Sequence, residues 1–306
     1  MTVGSQQAPR AGLALAPVVV GVDGSQESYR AVDWAVAHAR GTGRDLRLVH
    51  AYGGGSSALR IELAAQGADV GAASAAQAVL DTAVGYVEGL LGADSGISVE
   101  GRLHLGAAAG ALREESRRAS LVVVGSRDHG GLTGLLLGSV GVPVSAHASC
   151  PVVVVRGAEH RDPGPDAPVV VGVDGSGEAS AAVGFAFAEA HRHGCPLHAV
   201  LAWDELWIGA PELADPVPTG PVLQEAAVRM VSETLAGWAE AYPDVAVTRV
   251  VERGRPAPVL LREAAGARLV VVGSRGRGGF GGLLLGSTSQ TLLHRSPVAV
   301  AVVRRT

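Results

Sequence analysis

Short apolar runs alternate with longer segments of helical periodicity along the whole chain. The runs are rich in valine and about five residues long. Apolar residues in the segments between them recur every three or four positions. Strands of a parallel sheet that helices cover on both faces read as such uninterrupted apolar runs. The pattern predicts an α/β fold built from doubly wound, parallel-type sheets.

The predicted elements form two series of the same kind. The first series has strands at Val18–Val22, Leu46–His50, Ile97–His104, Leu121–Val124 and Val152–Val155, and helices at Ser28–Arg40, Ala72–Leu91, Ala107–Arg118 and Val140–Ala148. The second has strands at Val169–Val173, Leu197–Ala202, Val245–Val251, Leu269–Val272 and Val298–Val303, and helices at Ala179–Arg192, Val222–Ala241, Ala257–Ala265 and Thr288–His294. Each series therefore predicts one five-stranded domain.

Internal repetition supports this division. Val122–Val140 (VVVGSRDHGGLTGLLLGSV) and Val270–Thr288 (VVVGSRGRGGFGGLLLGST) match at 14 of 19 positions, at an offset of 148. Pro17–Gln26 and Pro168–Gly177 match at nine of ten positions, at an offset of 151. The polar segment 157–167, GAEHRDPGPDA, is rich in proline and glycine, as linkers are. We therefore predict a first repeat at 1–156, a linker at 157–167 and a second repeat at 168–306.

Charge and composition exclude several classes of function. A net charge of −4 provides no basic field for a nucleic acid. The apolar runs are far shorter than a membrane helix, and the N-terminus has no secretion pattern, so a cytoplasmic protein is expected. All 25 basic residues are arginine, which excludes a Walker A loop, a protein-kinase lysine and a pyridoxal Schiff base. The hydrolase GxSxG and metalloprotease HExxH patterns are absent as well.

The glycine-rich loop is the candidate site. In the second repeat it runs Gly273-x-x-Gly276, nine residues, then Gly286-Ser287, between a strand and a helix. Glycine lets phosphate oxygens approach the backbone, and the free N–H groups and dipole at a helix start favour an anion. Arg275 and Arg277 add positive charge. A flexible surface loop with solvated arginines is the alternative.

These motifs together resemble a known family. The VGVDGS turns at Gly21–Ser25 and Gly172–Ser176, the GSRGRGG(x)GGLLLGS loop at Gly273–Ser287 and the segment Arg253–Pro256 are similar to those of a tandem universal stress protein of the ATP-binding subgroup. The resemblance covers nearly the whole chain. It implies two Rossmann-like domains that bind ATP with Mg²⁺ and pair through their closing strands into a pseudo-dimer within the chain. Association of two chains into a homodimer is left open.

The resemblance also assigns residues to the nucleotide. Those assigned in the second repeat are Gly172, Val173, Asp174, Val200, Gly254, Gly273, Arg275, Gly276, Arg277, Gly278, Gly279, Gly286, Ser287 and Thr288. Those in the first are Gly21, Val22, Asp23, Val49, Gly106, Gly125, Arg127, Asp128, Gly138, Ser139 and Val140. Asp23 and Asp174 are candidate Mg²⁺ contacts, although an aspartate before Gly-Ser also serves as a turn or cap residue.

One difference predicts that the two sites are unequal. Asp128 stands where the second repeat has Gly276, and its negative charge opposes phosphate unless Mg²⁺ lies between them. Aspartate tolerates positive φ, so the loop shape could survive. We expect weaker or no binding in the first repeat.

The expected function is that of a nucleotide-dependent regulator of stress response or dormancy, with little or no turnover. The alternatives are a slow ATPase or nucleotidyl-transfer enzyme, and a scaffold without a ligand. The missing lysine and the lack of an evident base argue against efficient phosphoryl transfer.

Overall fold

The computed structural model describes residues 15–53, 68–126, 139–156, 164–203, 220–277 and 284–305. The strands in these ranges are β1 Val18–Gly21, β2 Leu46–Tyr52, β3 Val99–Leu105, β4 Leu121–Gly125, β5 Val152–Val155, β6 Val169–Gly172, β7 Leu197–Trp203, β8 Val247–Arg253, β9 Leu269–Gly273 and β10 Ala299–Val303. The α-helices are α1 Gln26–Thr42, α2 Ala68–Leu91, α3 Ala108–Glu115, α4 Gly141–His147, α5 Gly177–His193, α6 Gly220–Ala241, α7 Pro256–Glu263 and α8 Ser287–Arg295.

The strands form one continuous sheet in the order β3-β2-β1-β4-β5-β10-β9-β6-β7-β8. Neighbouring strands within each repeat are parallel. Strand order reverses between β1 and β4 in the first repeat, and between β6 and β9 in the second. Ligands of doubly wound sheets bind beyond the carboxyl ends of the strands at such a reversal. The turns and glycine-rich loops named above begin at these two places.

The two closing strands join the repeats. β5 and β10 pair antiparallel, with Val153 opposite Ala301. The resemblance implied that the two repeats pair through their closing strands, and in the structure each closing edge covers the other. The predicted α/β fold with two tandem, doubly wound parallel sheets is confirmed.

Burial on both faces of the sheet explains the uninterrupted valine runs. Val18 and Val20 belong to a core beneath α1, α2, α5 and α6, whereas Val19 belongs to a second core beneath α3, α4, α7 and α8. All three side chains are fully buried. A strand with both faces covered has no solvent-facing position at which a polar residue would be favoured.

Two arginines exchange helix caps across the β5–β10 junction. Arg156, which follows β5, donates to the carbonyl oxygens of Leu293, His294 and Ser296 at the end of α8. Arg304, which follows β10, donates to the carbonyl oxygen of Ala146 in the last turn of α4. The last carbonyls of a helix have no partner within the helix and lie at its negative end, so these bonds stabilise the junction.

No helix in the described ranges is long and apolar enough to cross a bilayer.

Candidate functional site

The turn after β6 is shaped by Asp174 and Ser176. Asp174 Oδ1 accepts from the backbone N–H of Ser176 at 2.9 Å, and Ser176 Oγ accepts from the N–H of Ala179 at 3.1 Å. Gly175 between them has φ of +74°, a conformation that favours glycine. The Asp-Gly-Ser sequence thus forms a turn and then caps α5. This is the turn role that the sequence left open for Asp174.

Asp174 also ties this turn to the loop after β9. Its Oδ2 accepts from the backbone N–H of Arg277 at 3.1 Å. A Cβ at position 276 would collide with the same oxygen, so Gly276 is needed for the aspartate to reach the loop. The arrangement cannot be copied with aspartate at that position.

The first glycine of each loop serves packing. A Cβ at Gly273 would lie 3.0 Å from atoms of Glu178 in the first turn of α5. A Cβ at Gly125 would collide with the backbone of Glu27 in the first turn of α1. Gly125 is therefore required by the approach of a helix to the strand end, and a side chain at Gly273 would crowd both α5 and its own loop. The loop pattern alone did not reveal these reasons.

The start of α8 carries N–H groups without a side-chain cap. The N-cap residue is Gly286, which has no side chain to accept from the first turn, and its own N–H donates to Ser274 O at 2.8 Å. Ser287 and Thr288 are the first two helical residues, and N–H groups at this position have no acceptor within a helix. The buried hydroxyl of Ser274 has no hydrogen-bond partner among the described residues. Polar groups suited to an anion therefore gather at the end of β9.

Positive charge is concentrated beside this helix start. Arg275 is half exposed, and its Nη2 lies 3.3 Å from Glu178 Oε1. Burial, together with the neighbouring charge of Arg275, lowers the pKa of Arg304, while Glu178 acts in the opposite direction. Arg275 therefore brings positive charge to the loop beside this helix start, and Glu178 balances part of that charge.

The strands at the predicted adenosine end are buried and hydrogen-bonded. Val173 N–H donates to Val200 O at 2.8 Å, and Val200 is only 1% exposed. Gly254 N–H donates to Trp203 O at 2.8 Å. The Trp203 indole is buried and donates to Gln224 Oε1 at 2.7 Å. Its burial indicates that this tryptophan packs in the core.

The first repeat has the same sheet contacts but a different carbonyl environment. Val22 N–H donates to Val49 O at 2.9 Å, and Gly106 N–H donates to Tyr52 O at 2.7 Å, as in the second repeat. His50 Nδ1, however, lies 2.7 Å from Val22 O. The counterpart of His50 is Leu201, which has no polar side-chain atom. The carbonyl at the end of β1 thus has a side-chain partner that leucine cannot supply after β6.

The helix after the first loop also begins later. α4 starts at Gly141, after an exposed Ser139 and the N-cap residue Val140, whereas α8 starts at Ser287, the counterpart of Ser139.

Asp23 Oδ1 accepts from the N–H of Ser25 at 3.0 Å and from its hydroxyl. Both candidate Mg²⁺ contacts, Asp23 and Asp174, therefore hold turns.

Five predicted residues, Arg127, Asp128, Gly138, Gly278 and Gly279, lie outside the described ranges. Within those ranges there is no group of three or more His, Cys, Asp or Glu side chains that could hold a metal ion.

One family model matches both repeats of the chain. The model described as "Universal stress protein family" matches residues 15–156 and, a second time, residues 167–304. The chain belongs to the universal stress protein family. It is 39% identical to universal stress protein Rv2005c of Mycobacterium tuberculosis, over 94% of this chain and 97% of that protein. It is 38% identical to a universal stress protein of Mycolicibacterium smegmatis, over 94% and 96%.

Solved structures show the same architecture. A universal stress protein from Archaeoglobus fulgidus superposes with a TM-score of 0.67 at 23% identity, covering 95% of this chain and 99% of that one. At this identity the likeness establishes the tandem fold.

Proposed function

We propose that this universal stress protein binds one adenine nucleotide, ATP with Mg²⁺, in its second repeat and acts as a nucleotide-dependent regulator of stress response or dormancy. The observation that carries the proposal is the start of α8 at the strand-order reversal, which has no side-chain cap and lies against the backbone of Ser274 and Arg275. Phosphate groups would accept from the N–H groups at the start of this helix and attract the neighbouring Arg275.

The remaining assignments follow from the position of each group. Ser287 and Thr288 would hold the phosphates through their backbone, with Arg275 and Arg277 as neighbouring charges. Val173 and Gly254, which follow β6 and β8, and Val200, in the middle of β7, would lie toward the adenosine. Residues Gly172, Gly273, Gly276 and Gly286 would act chiefly by keeping the backbone in place.

Mg²⁺ would supply charge neutralisation between the phosphates. Both carboxylate oxygens of Asp174 already accept from backbone N–H groups, at 2.9 Å and 3.1 Å. A metal contact through Asp174 would therefore have to share these oxygens, and Asp23 is engaged in a similar way. We infer that the ion would be held mainly by phosphate and water.

Two functions compete with binding and regulation. A slow ATPase or nucleotidyl transferase would need a base to activate the attacking group. Glu178, the carboxylate beside this loop, is already engaged in an ion pair, with its Oε1 3.3 Å from Arg275 Nη2. A scaffold that binds no nucleotide would leave the charge at α8 without a ligand.

Titration of the full chain with ATP, with and without Mg²⁺, tests the proposal. We expect saturable binding, with phosphate release far below roughly one turnover per second, the lower end of ordinary enzymes. Sustained faster release would establish the enzyme instead. A lack of binding at millimolar ATP would establish the scaffold. Sedimentation with and without ATP then measures whether occupancy changes assembly, including formation of a homodimer.

A further inference from the structure

A buried charge cluster lies where α1 of the first repeat meets α5 of the second. Glu189 is 1% exposed, and its Oε2 is 2.5 Å from Arg192 Nη1. His38 is 7% exposed, and its Nδ1 is 3.4 Å from Glu189 Oε1 and 3.1 Å from Arg192 Nη1. Ionic groups are rarely this buried unless they are paired, so the cluster couples the two helices.

The residues that meet in this cluster occupy equivalent positions in the two repeats. His38 and Glu189 are 151 residues apart, which is the offset between α1 and α5. Gly41 and Arg192 are separated by the same number, and a Cβ at Gly41 would collide with the Arg192 side chain. Each residue therefore meets its own counterpart. The two repeats differ in a complementary way: histidine in the first faces glutamate in the second, and glycine in the first leaves space for arginine in the second.

We propose that these two positions make the pairing face of each repeat selective for the other repeat and exclude pairing between repeats of the same kind. Two second-repeat faces would place two glutamates and two arginines in space that now holds one of each. Two first-repeat faces would leave two histidines without a carboxylate and two glycines facing an unfilled gap. Overfilled cores, cavities and unpaired buried charges are each destabilising.

Two other parts of the junction discriminate less between these pairings. Arg156 and its counterpart Arg304 both donate to carbonyl oxygens near the end of a helix, Arg156 to three at the end of α8 and Arg304 to one in α4. β5 and β10 are both short, apolar edge strands. Edge pairing and the arginine caps would therefore be kept if two repeats of the same kind came together, as can happen between chains.

His38 Nδ1 faces both Arg192 Nη1 and Glu189 Oε1, so the imidazole lies between the two charges of the cluster. Burial raises the pKa of Glu189, but His38 and Arg192 outweigh burial, so the pKa of this carboxyl lies below its ordinary value. His193, with Nε2 3.7 Å from Glu189 Oε2, is the remaining titratable neighbour from α5.

Three variants of the full chain convert the junction into each alternative. His38→Glu with Gly41→Arg gives both repeats the second-repeat residues. Glu189→His with Arg192→Gly gives both repeats the first-repeat residues. The chain with all four substitutions restores complementarity with the sides exchanged. Hydrogen exchange of the β5 and β10 amides reads out the junction, and the amides of β2 and β7 report whether each repeat remains folded.

We expect β5 and β10 to exchange at least about tenfold faster in both double variants, and the fourfold variant to return to within about threefold of the original chain. His191→Arg, at an exposed neighbouring site on α5, is the matched control and should leave exchange unchanged. Protection that survives in either double variant would overturn the proposal. A fourfold variant as unprotected as the double variants would also overturn it, because the effects would then be independent.

Discussion

The two repeats share the residues that build the strand ends and differ in those that would face a ligand. Ser25 and Ser176 cap their helices in the same way, and Gly125 and Gly273 both admit a helix turn against a strand. The helices that follow the two loops, however, begin at different positions of the repeat. α8 begins at Ser287, the counterpart of Ser139, whereas α4 begins two residues later, at Gly141. The fold constrains the shared positions through packing. The positions that differ are free to alter binding while both domains stay folded.

The comparison also separates two uses of glycine within one loop. Gly273 has a counterpart in Gly125, and at both positions an approaching helix crowds the space that a side chain would need. Gly276 has Asp128 as its counterpart and is required by the contact between Asp174 and the Arg277 N–H. A difference at the second kind of position is therefore expected to change the loop and its ligand, and to leave the sheet intact.

Placing the first-repeat residue in the second loop should have the largest effect. Gly276→Asp displaces the Asp174 carboxylate and adds a negative charge near the phosphates. We expect ATP binding to weaken by about 2–3 kcal/mol, on the order of 100-fold, as measured by calorimetric titration of the full chain. Gly237→Asp, on α6 where an added Cβ meets nothing within 4 Å, is the matched control. An ATP affinity that is undiminished in Gly276→Asp would show that Gly276 is not needed for binding.

The reverse change should reduce the difference in ATP affinity between the two repeats. Asp128→Gly removes a negative charge from the first loop, and we expect binding there to tighten by about tenfold. The measurement is the number of ATP molecules bound per chain at a fixed ATP concentration, which should rise. A stoichiometry and affinity equal to those of the unaltered chain would mean that Asp128 does not limit the first site.

A smaller effect is expected at the carbonyl of Val22. His50→Leu copies Leu201 and removes the contact of the imidazole with Val22 O, which is 2.7 Å long. Added to Asp128→Gly, it should tighten ATP binding in the first repeat by a further few-fold, on the scale of one hydrogen bond. His50→Leu alone is the control and should show little gain. Equal gains with and without Asp128→Gly would show that the two positions act independently.

The smallest expected effect concerns the stability of the fold at acidic pH. Burial lowers the pKa of His193. Glu189 raises it, and the positive charges of Arg268 and Arg192 lower it further. Its protonation therefore disfavours the folded state, and stability is lost as the pH falls below the ordinary histidine pKa of about 6.5. His193→Thr, which copies Thr42 of the first repeat, should lower the loss in Tm between pH 7.5 and pH 5.5. An identical loss in both proteins would assign the acid sensitivity elsewhere.

Much of the fold could be predicted from the sequence, because strands buried on both faces leave continuous valine runs such as Val169–Val173. Helix boundaries were predicted less well. α2 begins at Ala68 rather than Ala72, and α4 begins at Gly141 rather than Val140. Alanine and glycine fit both helix and loop with little change in polarity, so hydrophobic periodicity does not fix such ends.

The candidate site was predicted in position but only partly in mechanism. Glycine spacing located the loop, yet the contact between Asp174 and Arg277 N–H joins residues 103 apart in sequence. The junction residues Glu189 and Arg192 were not predicted at all. Their signal was present as a contrast between aligned repeats, His38 against Glu189, but its meaning required knowing that α1 meets α5.

Counting bound nucleotide per chain tests the inequality of the repeats most directly. Native mass spectrometry of the full chain after equilibration with ATP and Mg²⁺ gives that number for the unaltered protein and for Gly276→Asp. We predict one adenine nucleotide per unaltered chain and none in Gly276→Asp at the same ATP concentration. Two nucleotides per unaltered chain, or one that persists in Gly276→Asp, would contradict the account.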